Sequence, residues 1–164
     1  MGTKRIGFEL TVYDTVDEMS KDDQELLHQA NLAREKAYAP YSKFHVGAAV
    51  LLENGTVVLG NNQENASYPS GLCAERVAVF HAGANHPGVA IKAIAISAVS
   101  TTSNETTAPA APCGNCRQAI AEYEHKQKEP IAILMQGAST TVYKCHAIAD
   151  LLPLAFDNSF LGDS

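Results

Sequence analysis

Cys73, two residues before Glu75, and the pair Cys113 and Cys116 are the residues whose types and spacing could do chemistry. Three cysteines can offer three thiolates to one zinc ion, which takes four tetrahedral ligands and binds sulfur well. Three protein ligands leave the fourth position to water, the mark of a catalytic rather than a structural site. Glu75 is then a carboxylate placed to take a proton from that water. The run Pro112-Cys113-Gly114-Asn115-Cys116 admits two other readings. One is a redox pair; the other is part of a four-cysteine structural zinc site completed by Cys145. Neither accounts for Glu75 at its offset.

The spacing dictates where these residues can sit. On an α-helix, positions i and i+2 point about 200° apart, so Cys73 and Glu75 cannot share a lateral face. They converge only at the open N-terminal end of a helix. Pro112 places a second helix start at Cys113, because proline is tolerated at a helix start and damaging inside one. Two helices would then aim their positive ends at three thiolates, a favourable polarity.

Composition narrows what such a site could act on. The chain has 164 residues and a net charge of −6, from 12 basic and 18 acidic residues. A protein that grips a phosphate backbone needs a basic footprint, and Lys and Arg are scattered here. A small, neutral substrate is expected, with no nucleic acid and no membrane partner. Apolar runs such as Ile131 to Met135 are far too short to span a bilayer. No charged segment followed by an apolar one opens the chain, and its four cysteines fit a reducing cytosol, so a cytoplasmic location is expected.

The elements that must position the site follow from periodicity. Residues 1–20 hold the alternation Ile6, Phe8, Leu10 and Val12, an N-terminal arm or extra edge strand. Residues 21–164 read as one domain. Asp22 or Asp23 caps a helix running to about Tyr38, with Leu26, Leu27, Ala30, Ala33 and Ala37 inward. A strand to about Glu53 and another from Thr56 to Gly60 flank Asn54-Gly55, a two-residue hairpin signal. The polar stretch from Asn61 to Gly71 is a loop feeding the helix that starts at Cys73. Ala90 to Val99 reads as a buried central strand, and residues 100–111 as a loop delivering Cys113. The Cys113 helix runs to about His125. Strands at Ile131 to Met135 and Thr140 to Tyr143 are separated by four residues, too few for a crossover, so they are antiparallel. A short helix covers His146 to Leu152. The six histidines are read as surface or packing residues.

With these residues placed, the chain resembles the cytidine deaminase family, in its small, three-cysteine, homotetrameric branch. Tyr38-x-Pro40-Tyr41-Ser42-x-Phe44-x-Val46-Gly47-Ala48 matches the family's first motif, and Asn62-Gln63-Glu64-Asn65-Ala66 its ribose loop. Cys73-Ala74-Glu75-Arg76 and Pro112-Cys113-Gly114-x-Cys116-Arg117-Gln118 match the zinc motifs, a known signature of zinc nucleobase deaminases. Leu151-Leu152-Pro153-x-x-Phe156 matches the C-terminal signature. The resemblance covers roughly residues 21–156.

It implies a three-layer α/β/α sandwich around a mixed five-stranded sheet whose last two strands are antiparallel. It implies one zinc ion per chain on Cys73, Cys113 and Cys116, with Glu75 as the proton shuttle. Phe44 would pack on the pyrimidine, and Asn62 and Glu64 would grip the ribose 3′-hydroxyl. Ala74 would touch the substrate, Ala66 and Tyr68 would approach it from a neighbouring subunit, and Phe156 would close the pocket across an interface. Arg76 would hydrogen-bond ligand sulfurs, where a permanently charged guanidinium offsets surplus thiolate charge. The implied reaction is hydrolysis of cytidine and 2′-deoxycytidine to uridine and 2′-deoxyuridine, with loss of ammonia.

The residues bear on three rival functions. An antibiotic deaminase of the blasticidin type shares the cysteines but lacks the Asn62 and Glu64 loop. A polynucleotide or tRNA deaminase is opposed by the acidic charge and by the antiparallel last pair, where those relatives place a helix. A non-catalytic zinc module would have no use for Glu75.

Overall fold

The computed structural model describes residues 1–102 and 108–162, so residues 103–107 of the expected loop and residues 163–164 lie outside the described residues. The apolar run Ile91–Ser100 forms β4, with residues 93–98 all buried. A strand covered on both faces reads as a continuous apolar run, and this one lies at the centre of the sheet. On one side it pairs antiparallel with β2 (Phe44–Leu52). On the other it pairs parallel with β5 (Ala132–Gln136). A parallel pair needs a crossover, supplied by α3 (Gly114–Gln127). The remaining strands are β3 (Val57–Asn61), antiparallel to β2, and β6 (Val142–Cys145), antiparallel to β5 as expected.

The sheet has six strands, not five. Thr11–Tyr13 form β1 and pair antiparallel with β6, giving the order β1-β6-β5-β4-β2-β3. The edge-strand reading of the arm thus holds for three residues only. The apolar alternation begins at Ile6, but β6 is too short to offer Ile6, Phe8 or Leu10 a partner, and those side chains stay exposed.

Helices cover both faces, completing three layers. Helix α1 (Lys21–Arg34) packs Leu26, Leu27 and Ala30 against Ala49, Ala95 and Leu134. The opposite face carries α2 (Ala74–Asn85), α3 and the short α4 (Ile148–Leu151), around Ile94, Ile96, Ile133 and Ile120. Two local expectations are corrected at α1. Its cap is Ser20, whose hydroxyl accepts from the Asp23 amide at 3.2 Å, so the acidic residues lie in the first turn. It ends at Arg34 rather than near Tyr38, because the Tyr38 amide donates to the Asn62 carbonyl at 3.0 Å and draws the chain toward the sheet. The hairpin is also corrected. Of the residues between the two strands only Gly55 has positive φ (83°), and its amide donates to the Leu52 carbonyl at 3.0 Å, making a three-residue loop with Gly55 left-handed.

Two glycines let the layers close. A Cβ on Gly47 would stand 2.1 Å from the Ala30 carbonyl oxygen and 2.3 Å from the Arg34 nitrogen, both backbone of α1. A Cβ on Gly60 would stand 2.6 Å from the Ala74 carbonyl oxygen of α2, on the other face. Gly60 therefore sets how deeply the N-terminal end of α2 lies on the sheet. Gly47→Ala should destabilise the fold by about 1–3 kcal/mol or more, since backbone cannot give way as a side chain can. The check is the denaturant midpoint at constant slope; an unshifted midpoint would mean that α1 slides freely.

Candidate active site

Cys73 is the N-cap of α2 and Cys113 the N-cap of α3, both with extended backbone, so the two helix starts meet as the spacing required. Cys116 follows in the first turn of α3 and is fully buried. The sulfurs of Cys73 and Cys113 are 3.8 Å apart, and those of Cys113 and Cys116 are 3.5 Å apart. All three ligand atoms lie within 4.8 Å of one another. Tetrahedral zinc with Zn–S bonds of about 2.3 Å separates its sulfurs by roughly 3.8 Å, so the cluster fits that ion.

The charge state of the cluster agrees. The Cys73 thiol is drawn well below its usual range, first by a hydrogen bond from Cys116, with Arg76 beside it. Cys116 is correspondingly pushed up. The pair holds a proton that a cation would displace. An Arg76 terminal nitrogen lies 3.9 Å from the Cys73 sulfur, while its Nε is buried without a hydrogen-bond partner. A guanidinium so placed suits a site that carries surplus negative charge.

Glu75 is 4% exposed. Burial pushes its carboxyl above the usual carboxylate range, and the Cys73 charge adds to that push. Ala74, between Cys73 and Glu75, is fully buried.

Cys145 is excluded from the cluster. It sits on β6, 1% exposed, with its thiol 3.9 Å from the Ile133 carbonyl oxygen. Burial raises that thiol to about 11. Among the described residues the cluster has three members, and no histidine joins it.

An open cleft of about 520 Å³ leads to Cys73 and Arg76. Asn62, Glu64 and Tyr68 line it, as do Tyr41 and Ser42. Asn62 follows β3 and its side chain behaves like one more strand residue. Its amide nitrogen donates to the Phe44 carbonyl and its oxygen accepts from the Val46 amide, each at 2.9 Å. Glu64 accepts from the amides of Tyr41 at 2.9 Å and Ser42 at 3.2 Å, and from the Ser42 hydroxyl. The Ser42 hydroxyl bond above all holds the Glu64 carboxyl below its usual range. In the sequence Ser42 is only part of a motif, and its anchoring of Glu64 leaves no periodic trace.

Four expected substrate residues are not walls of this cleft in one chain: Phe44, Ala66, Ala74 and Phe156. Phe156 is 57% exposed and stacks on Phe160, with ring centres 5.4 Å apart. A larger cleft of about 740 Å³ lies between the C-terminal end of α2 and α3, with no cysteine in its walls. The thiol cluster, not cleft size, selects the candidate site.

Residues 20–129 match the family model described as the cytidine and deoxycytidylate deaminase zinc-binding region. The chain belongs to that family. These are zinc-binding hydrolytic deaminases, and the thiol cluster with its adjacent glutamate lies inside the matched region. Relatives agree over most of their lengths. The cytidine deaminase of Sporosarcina psychrophila is 42% identical over 143 residues, 85% of this chain and 95% of the relative. That of Halalkalibacterium halodurans is 39% identical, across 87% and 99%. The crystal structure of cytidine deaminase from Burkholderia pseudomallei superposes with a TM-score of 0.70 at 41% identity, across 84% of this chain and all of that one.

Cys145→Ser should leave zinc content unchanged at one per chain, measured by elemental analysis. Protein that purified without metal would return Cys145 to the ligand set.

Proposed function

We propose that this deaminase hydrolyses cytidine and 2′-deoxycytidine to uridine and 2′-deoxyuridine, releasing ammonia, as a cytoplasmic homotetramer of pyrimidine salvage. One observation carries the reading: a buried carboxylate one residue inside the helix that Cys73 caps, with three sulfurs in zinc geometry beside it. The relatives named above are cytidine deaminases over nearly their whole lengths, which supports the substrate. The acidic charge and the antiparallel β5–β6 pair support a free nucleoside over a polynucleotide. No helix among the described residues is long and apolar enough to cross a membrane.

Bound zinc supplies a Lewis acid that makes a water molecule acidic. Glu75 moves the protons. It takes one from the attacking water and hands it to ring N3, which makes C4 electrophilic. After the oxygen adds to C4, Glu75 carries the second proton to the exocyclic amine, the C–N bond breaks and ammonia leaves. One carboxylate thus acts as base and then as acid, a task suited by a raised affinity for protons. Arg76 holds Cys73 and tempers the charge of three thiolates. Asn62 and Glu64 offer the acceptors and donors for a ribose hydroxyl, and Phe44 an aromatic face for the pyrimidine.

Within one chain the cleft is incomplete, which supports shared sites. Phe156 is 57% exposed, as expected of a ring that docks onto a neighbour. Enclosing a small nucleoside excludes water and strengthens the electrostatics at C4.

Glu75→Gln should keep the fold and one zinc per chain while turnover of cytidine falls by at least ~10²–10⁴-fold. Ammonia release measures it, and retention of more than about a tenth of the wild-type rate would remove Glu75 from this role. Phe156→Ala should raise KM by about tenfold or more, the worth of a buried aromatic side chain. Light scattering run beside the kinetics gives the mass. A fully active monomer, or an assembled Phe156→Ala protein with unchanged kinetics, would sink the shared pocket.

A further inference from the structure

Phe156 can close a neighbouring pocket only if residues 153–156 are held in place, and very little holds them. Helix α4 ends at Leu151, Pro153 has no amide hydrogen to donate, and Leu154 turns in the left-handed region at φ 62°. Among the described residues one hydrogen bond reaches residues 153–156. It runs from the Gln118 side-chain amide to the Phe156 carbonyl oxygen, at 2.8 Å.

The flanking attachments come from the same helix. Arg117 donates from Nη1 to the Leu151 carbonyl at 2.9 Å, and His125 Nδ1 lies 3.8 Å from Asp157 Oδ2. Gln118 and His125 are two turns apart, so they share one stripe of α3. Arg117 also reaches back from Nε to the Pro112 carbonyl at 2.8 Å, beside the Cys113 cap. The helix that carries two of the three thiols is therefore also the rail on which the C-terminal segment hangs.

We propose that Gln118 is a positioning residue that sets where the Phe156 ring projects, and so how well it closes the nucleoside pocket of a neighbouring subunit. This rests on the shared-pocket reading above. The ring has no rigid bed of its own, since its stacking partner Phe160 is 68% exposed. Its Cα is placed by the carbonyl that Gln118 holds, and a ring displaced by about an ångström loses the contacts that enclosure needs. Because α3 begins at Cys113, the thiol cluster of one subunit and the pocket of the next share one rigid frame.

A kinetic double-mutant cycle tests this on zinc-loaded, assembled protein, with Gln118→Ala, Phe156→Ala and the double variant. Gln118→Ala should raise KM for cytidine about three- to tenfold, the size of one hydrogen bond, with kcat within about twofold. Zinc per chain and assembled mass should not change. Gln118→Glu, which keeps the shape but loses the donor, should match Gln118→Ala, and Gln118→Lys should recover much of the loss. In the Phe156→Ala background, Gln118→Ala should add nothing. If Phe156→Ala raises KM while Gln118→Ala does not, or if the two effects add in full, Gln118 does not act through Phe156 and the proposal is overturned. Loss of zinc or of assembly in Gln118→Ala would also overturn it, by showing a general structural role. Unchanged KM in Phe156→Ala would instead remove the shared pocket itself, and the proposal with it.

Discussion

Gathering three thiol groups at one point is the constraint from which most of this architecture follows. Fully deprotonated, sulfurs 3.5–3.8 Å apart would repel one another, and nothing in an apolar interior would hold them together. The fold answers with positive potential from several sources. Two helix N-termini meet at the cluster, Arg76 lies against Cys73, and a dication would complete the balance. Helix starts can meet there only if α2 and α3 both lie close on one face of the sheet. That is why Gly60, which lets the backbone of α2 touch β3, matters to the chemistry although it touches no substrate group.

Glu75 shows the same logic at the scale of one side chain. A carboxylate buried against sulfurs would be a liability in a purely structural metal site. Here its burial and the charge of Cys73 both favour its protonated form, and a bound cation favours the ionised one. A group poised between opposing influences is suited to give and take protons in turn.

The thiol cluster, the helix starts and the antiparallel last strands were legible because each rests on short-range rules. Proline beside a helix start, an i to i+2 offset, and four residues between two strands all act within a few positions. Boundaries were less legible. The cap of α1 is Ser20 rather than either aspartate, and the alternation from Ile6 predicts more strand than β6 can pair. Least legible were side chains that hold distant backbone. Glu124 accepts the amides of Ile131, Ile148 and Ala149, and Ser42 anchors Glu64. Such contacts follow from where tertiary packing brings the chain, and no periodicity announces them.

The short strand β1 bears on the order in which the molecule can be made. Its neighbour β6 lies near the other end of the chain, and the bond from the Thr140 hydroxyl to the Asp14 carbonyl spans 126 residues. Contacts of such separation form late, because the entropy of closing the loop must be overcome first. During synthesis β1 therefore leaves the ribosome with no partner until the strand it belongs beside has followed. Until β1 docks on it, the outer edge of β6 is also open, a template for pairing with another unfinished chain. The thiol cluster can assemble without that last contact, whereas protection of the sheet from its own kind waits for the ends to meet.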